Sequence, residues 1–290
     1  MGPATVRALL TELIDYAGLF PPAALPMSDV AHNYAHYRRS ADGWALGRLV
    51  VPVARLDELS AALPSSGDAA PRVSALVGDD ALHDAEAIRR VNDAGRIRVD
   101  AVEVRTPDVA AIERAVAALG GALTVYCEIP VAGDPRDVVS ALAHAGARAK
   151  IRTGGVTSNA FPSPADVARF LVRCAEQDVP FKATAGLHHP LRGSYRLTYA
   201  DGAPSGVMFG FLNVFVAAVF ARKGLDVNRI AVLLDEQDPL ALALADASVA
   251  WRGERVLYDD VLSARTSFAI AFGSCSFREP IDDLHHLGLL

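Results

Sequence analysis

Short runs rich in β-branched and aromatic residues alternate with amphipathic helical segments along most of this sequence. That alternation restricts the chain to folds assembled from repeated βα units. The predicted strands cover residues 13–20, 46–53, 72–77, 98–104, 123–129, 147–152 and 180–184, with the eighth at 267–272. Helices are predicted at 28–39 with Ser28 as cap, and at 55–63, 80–92, 135–145 and 163–177. Another starts at Thr106-Pro107-Asp108, with Pro107 in the first turn, where a missing N–H costs nothing. Eight strands in this pattern close into a (β/α)8 TIM barrel, a single domain over residues 1–290. The spacing breaks at about 187–266, which reads as a long, mostly helical insertion between strands seven and eight. Its predicted helices lie at 206–222, 239–246 and 259–265, with a hairpin at 249–256 turning on Gly253. A terminal helix follows at 280–287. The alternative is an open doubly wound sheet, but no early strand is followed by its Gly-x-Gly-x-x-Gly turn.

Acidic residues outnumber basic ones by 34 to 28 and are spread along the chain without a basic block. Nucleic acid and anionic membrane surfaces are therefore excluded as main partners. The longest apolar run, 207–220, is broken by Gly210 and Asn213 and falls short of the roughly 18 residues that cross a bilayer. The N-terminal text lacks a signal-peptide pattern, and Cys127, Cys174 and Cys275 have neither disulfide-framework nor zinc-site spacing. These features predict a cytoplasmic enzyme-class domain with reduced cysteines.

Barrel strands are buried on both faces, so a charge within one is costly unless paired, and its parity is informative. Glu103 and Arg105 share a face of strand four, and Thr124, Tyr126 and Glu128 share a face of strand five. Lys150 and Arg152 do so in strand six, and Lys182 and Thr184 in strand seven. Each set lies toward the C-terminal end of its strand, and active sites of this fold are built at that end of the barrel. A buried ion-pair network without function is the alternative. The lysines stand out further because only Lys150, Lys182 and Lys223 occur among the 28 basic residues. Two lysines in one sheltered mouth predict an amine with depressed pKa, able to attack a carbonyl and form a Schiff base.

Strands six and seven carry a resemblance. Lys150-Ile151-Arg152-Thr153-Gly154 and Lys182-Ala183-Thr184-Ala185-Gly186 resemble the Lys-x-x-Thr-Gly and Lys-Ala-Ser-Gly-Gly segments of class I aldolases of the deoxyribose-phosphate type. The resemblance implies that Lys150 forms the Schiff base and Lys182 lowers its pKa, with Glu103, or else Glu128, transferring protons. Residues 15–22, 181–190 and 272–277 are also similar to an uncharacterised family of bacterial proteins, a likeness that transfers no activity.

Other candidates surround these residues. Gly273-Ser274-Cys275-Ser276 follows strand eight and precedes a helix, a common phosphate-binding arrangement in this fold. Ser274, Ser276, Thr153, Gly154 and Thr184 are thus candidate substrate contacts, and Arg105 and Arg152 could clamp a phosphate or carboxylate. His188 and His189 follow strand seven, where neighbouring side chains should diverge so that only one need enter the pocket. Asn213, a polar residue in an apolar helix, could bind substrate. His32, His36, His285 and His286 read as solvated, and Cys275 lacks a histidine near it in sequence. The preferred function is a metal-independent, aldolase-like lyase acting on a small carbonyl compound with a phosphate or carboxylate. One alternative is a Mg²⁺-assisted enolising isomerase or lyase, with Glu103 and Glu128 as ligands, Asp79 or Asp80 as a third, and a lysine base. Another is a non-catalytic protein that binds a small anion.

Overall fold

The computed structural model describes residues 2–64 and 69–290. Eight parallel strands close into a barrel, with helices outside it. The barrel strands are β1 (Ile14–Tyr16), β2 (Leu46–Pro52), β3 (Arg72–Leu76), β4 (Arg98–Arg105), β5 (Thr124–Glu128), β6 (Arg148–Arg152), β7 (Phe181–Thr184) and, after the insertion, β13 (Ala269–Ser274). Their spatial order is β1-β13-β7-β6-β5-β4-β3-β2. The helices before the insertion are α1 (Ala4–Leu10), α2 (Met27–Arg39), α3 (Leu56–Ala62), α4 (Ala81–Ala94), α5 (Val109–Leu119), α6 (Arg136–Ala145) and α7 (Pro164–Glu176).

Local chemistry sets the helix ends. The Asp80 carboxylate accepts from His83 N and starts α4, and Gly95 ends it in the left-handed conformation that glycine adopts without a side-chain penalty. Ser163 caps α7, with Pro164 in the first turn as predicted. Two predicted starts are corrected. Asp108 caps α5 by accepting from Ala111 N, which leaves Pro107 outside the helix, and α2 begins after Pro26, so Ser28 lies within its first turn.

The insertion combines helices with two small antiparallel sheets. After β8 (Gly193–Arg196) and β9 (Ser205–Met208), which form a hairpin, come α8 (Phe211–Arg222) and α9 (Val227–Leu234). The second sheet contains β10 (Leu242–Leu244), β11 (Ser248–Trp251) and β12 (Glu254–Leu257), and α10 (Tyr258–Ser267) leads into β13. Residues 206–208, predicted to open a helix, thus pair as a strand. Gly210 marks the change, because a side chain there would stand 2.3 Å from the Pro190 carbonyl oxygen. Residues 239–246 give a single 3₁₀ turn and then β10 rather than a helix, while the predicted hairpin around Gly253 is present. The terminal helix α11 spans Arg278–His286. Among the described residues no helix is long and apolar enough to cross a membrane.

Every residue of α8 from Phe211 to Ala221 is buried, because the helix touches β13, α7, α9 and α10. The one polar side chain of this buried stretch, Asn213, is fully satisfied there. Nδ2 donates to the carbonyls of Leu233 and Glu236 at 3.0 and 2.9 Å, and Oδ1 accepts from Arg192 N at 2.9 Å. It ties segments of the insertion to one another and does not line the cavity described below, which corrects the expectation of substrate contact. Asn213→Leu should therefore cost about 2–4 kcal/mol in urea unfolding, since buried backbone groups would lose their partners. A change below about 0.5 kcal/mol would contradict this structural role.

Candidate active site

Register brings the charged residues together. Glu128, Lys150 and Lys182 are direct neighbours across β5, β6 and β7. Two adjacent lysines would repel each other in a buried layer. Glu103 of β4 removes the conflict by giving one oxygen to each. Its Oε2 lies 2.7 Å from Lys150 Nζ and its Oε1 lies 2.6 Å from Lys182 Nζ. Lys150 also contacts Glu128 at 2.8 Å, and Lys182 contacts Asp15 of β1 at 2.6 Å. The result is an alternating row, Asp15–Lys182–Glu103–Lys150–Glu128. Ser74 of β3 donates to Glu103 Oε1 at 2.8 Å, and the Arg48 backbone N–H donates to Asp15 Oδ1 at 2.7 Å.

Burial alone would favour neutral Glu103 and a neutral Lys182, and the pairing overcomes it for both. Lys150 and Lys182 hold the Glu103 carboxyl well below the usual range, while Asp15 and Glu103 hold Lys182 above the ordinary lysine value. The two carboxylates thus favour the charged form of Lys182. The expectation that each amine makes the other easier to deprotonate is overturned for Lys182, because carboxylates stand on both sides of it.

Above this row lies a cavity of about 220 Å³ at the C-terminal ends of the strands. Glu103 and Lys150 reach its floor, whereas Lys182 lies beneath and does not line it. Phe20, Pro21, Val50 and Leu76 supply apolar wall. The β8–β9 hairpin and its connection contribute Arg196, Leu197, Tyr199 and Met208. Arg152, Thr184, His188, His189, Cys275 and Glu279 complete the polar surface.

The histidines converge instead of diverging. His188 Nδ1 lies 2.9 Å from Glu279 Oε2, and His189 Nδ1 lies 2.7 Å from Asp283 Oδ2. The two carboxylates are one turn apart on α11, so one helix face serves consecutive histidines. Tyr199 donates to Glu279 Oε2 at 3.0 Å, and Tyr195 stacks on His189 with ring centroids 3.6 Å apart.

Several predicted contacts serve the frame. Thr153 donates to the carbonyls of Ala185 and Thr184 at 2.7 and 3.2 Å, fixing the turn where Ala185 and Gly186 both have positive φ. Gly154 packs on Gly186, and a side chain at 154 would lie 2.9 Å from Gly186 Cα. Neither Thr153 nor Gly154 lines the cavity. Ser274 Oγ accepts from Ser276 N and Ser276 Oγ accepts from Glu279 N, so both hydroxyls shape the entry to α11 and lie outside the cavity lining. Arg105 is largely exposed, 4.0 Å from Glu128 and away from the cavity. Burial pushes the Cys275 thiol up, consistent with a lining group that is not a nucleophile.

Asp15, Tyr199, Glu279 and Asp283 were not predicted. Asp15 had one signal, an acid inside the apolar run 13–20. The donor set does not fit Mg²⁺. Lys150 Nζ occupies the position between Glu103 and Glu128, and Asp79 and Asp80 are exposed elsewhere. Among the described residues no group of three or more His, Cys, Asp or Glu side chains could hold a metal ion.

No family model and no curated protein matches this chain. The fold is compatible with aldolase, lyase or isomerase chemistry, and the choice among them rests on the cavity.

The charged row also governs stability. The depressed Glu103 pKa contributes stability that is present above the unfolded value near 4.3 and lost as pH falls through the folded value. The raised Lys182 pKa contributes stability present below about 10.4 and lost as pH rises through its folded value. Glu103→Gln should cost about 2–4 kcal/mol at neutral pH, because each buried ammonium loses one of its two carboxylate partners. It should also flatten the acid limb of a stability–pH curve measured by denaturant unfolding. An unchanged acid limb would show that the row is not coupled to folding.

Proposed function

We propose that this protein is a lysine-dependent, aldolase-like lyase acting on a small carbonyl compound that carries a carboxylate or phosphate. The observation that carries the reading is the position of Lys150: its amine lines the cavity between two carboxylates, while the second lysine stays charged beneath the floor.

Imine formation needs Lys150 to give up a proton. Glu103 already faces two ammoniums and is a poor acceptor, whereas Glu128 faces only one lysine, at 2.8 Å. In this reading Glu128 takes the proton, the free amine attacks the carbonyl carbon, and the proton returns to the carbinolamine oxygen as it leaves as water. The iminium keeps the positive charge of the ammonium it replaces. The row therefore needs no reorganisation, and its carboxylates stabilise the cationic intermediate. Lys182 holds Glu103 ionised throughout. Arg152 and Arg196 in the upper cavity suit an anionic group on the substrate.

Borohydride added with pyruvate, dihydroxyacetone phosphate, glyceraldehyde 3-phosphate or acetaldehyde should leave a reduced adduct on the peptide containing Lys150, read by mass spectrometry. Lys150→Met should abolish it. No adduct with any of these compounds, or an adduct confined to Lys223, would reject the imine. Glu128→Gln should slow adduct formation by about 100-fold, within the usual range for loss of an acid–base group. A rate unchanged by that substitution would remove Glu128 from the mechanism.

A further inference from the structure

The two histidines of the cavity differ in a way that bears on proton transfer. The Glu279 carboxyl is half-buried, which on its own would raise its pKa, but His188, Tyr199 and His189 bring it below its usual range. An ionised carboxylate only accepts hydrogen bonds, so the hydrogen between His188 and Glu279 belongs to Nδ1 of the imidazole. In the neutral ring this leaves a lone pair on Nε2, which has no protein partner among the described residues. His189 is held differently, with Nδ1 on Asp283, Nε2 3.9 Å from Glu279 Oε1, and its ring covered by Tyr195. At 3.9 Å the contact of His189 Nε2 is too long for a hydrogen bond, but it leaves His188 as the one whose Nε2 has no second carboxylate near it among the described residues.

The support behind His188 is built from several directions. Tyr199 donates to the same Glu279 oxygen that receives Nδ1–H, and Ser276 Oγ accepts from the Glu279 backbone N–H at 3.1 Å. His188 is itself buried yet lines the cavity into which Lys150 also opens. A histidine oriented by a carboxylate, and facing the same enclosed space as an amine, has the arrangement of a general acid–base.

We propose that His188 is the catalytic acid–base of this cavity and that Glu279 is its positioning residue. The assignment rests on the Lys150 imine. With the substrate held as an iminium on Lys150, His188 Nε2 takes the hydroxyl proton from the carbon two bonds from the imine carbon. The bond joining that hydroxyl carbon to the carbon next to the imine breaks, its electron pair moves toward the iminium to form a neutral enamine, and the hydroxyl carbon leaves as an aldehyde or ketone. The resulting imidazolium is paired with Glu279. It then returns its proton to the enamine carbon, which restores the iminium for hydrolysis. The last step can be followed without knowing the natural substrate, because it run in reverse exchanges the hydrogens next to the imine carbon.

The test uses the full-length protein with each of the four carbonyl compounds named for borohydride trapping. Exchange of their α-hydrogens in D2O is followed by NMR, and Lys150 adducts are measured in parallel. His188→Gln should retain the adduct and lose at least about 100-fold in exchange rate. Imidazole added to His188→Gly should restore part of that rate, which a merely structural defect would not allow. Glu279→Gln should lower the maximal exchange rate with little change in the concentration giving half-maximal rate. An adduct with wild-type exchange in His188→Gln overturns the assignment and leaves the imine intact. Absence of any adduct in the unsubstituted protein overturns the imine and the assignment with it.

Discussion

The carboxylate of Glu103 is the constraint on which the interior of this barrel depends. Parallel neighbours lie about 4.8 Å apart, so the register of β6 and β7 forces Lys150 and Lys182 side by side in a space without bulk water. One carboxylate with two oxygens, supported by Ser74, resolves this by facing both amines. Asp15 and Glu128 then close the row at each end. Such a row is a costly way to fill a barrel, since apolar packing of similar volume is often as stable. What the row provides instead is an amine held between carboxylates at the floor of a cavity.

The cavity is divided between two sources. Its floor comes from barrel strands, where each side chain is fixed by register and by ion pairs on several sides. Its upper polar surface comes from the segment after β7, the β8–β9 hairpin and α11. The floor carries the Lys150 amine, and the upper surface carries two histidines, Arg196 and a carboxylate, with Arg152 of β6 beside them. The lysine below and the histidines above are thereby separated, while both reach the same 220 Å³.

Much of this was legible in the sequence, for a definite reason. Strand side chains alternate with period two, so charges at 103, 128, 150 and 182 could be assigned to one face before any pairing was known. The barrel followed from the same alternation of short strands and helices. What escaped notice depends on contacts between distant segments. Asp15 lies in a three-residue strand, too short for parity to show. Glu279 and Asp283 resemble ordinary surface charges on a short helix until His188 and His189 are placed against them. The hairpin strands Gly193–Arg196 and Ser205–Met208 are half polar and include glycine, so neither has a strand signature, and only their mutual pairing makes them one. Thr153, Gly154 and Asn213 were recognised as unusual, but their hydrogen bonds and close contacts are spent on backbone.

The contact between Gly154 and Gly186 limits how such a protein can change. With 2.9 Å between the glycine at 186 and any carbon added at 154, a side chain there would force apart the exits of β6 and β7, the two strands that carry the lysines. The hairpin has no comparable tie to the charged row. The shape of the cavity can consequently be redrawn at residues near 193–208 while the amine and its flanking acids stay as they are.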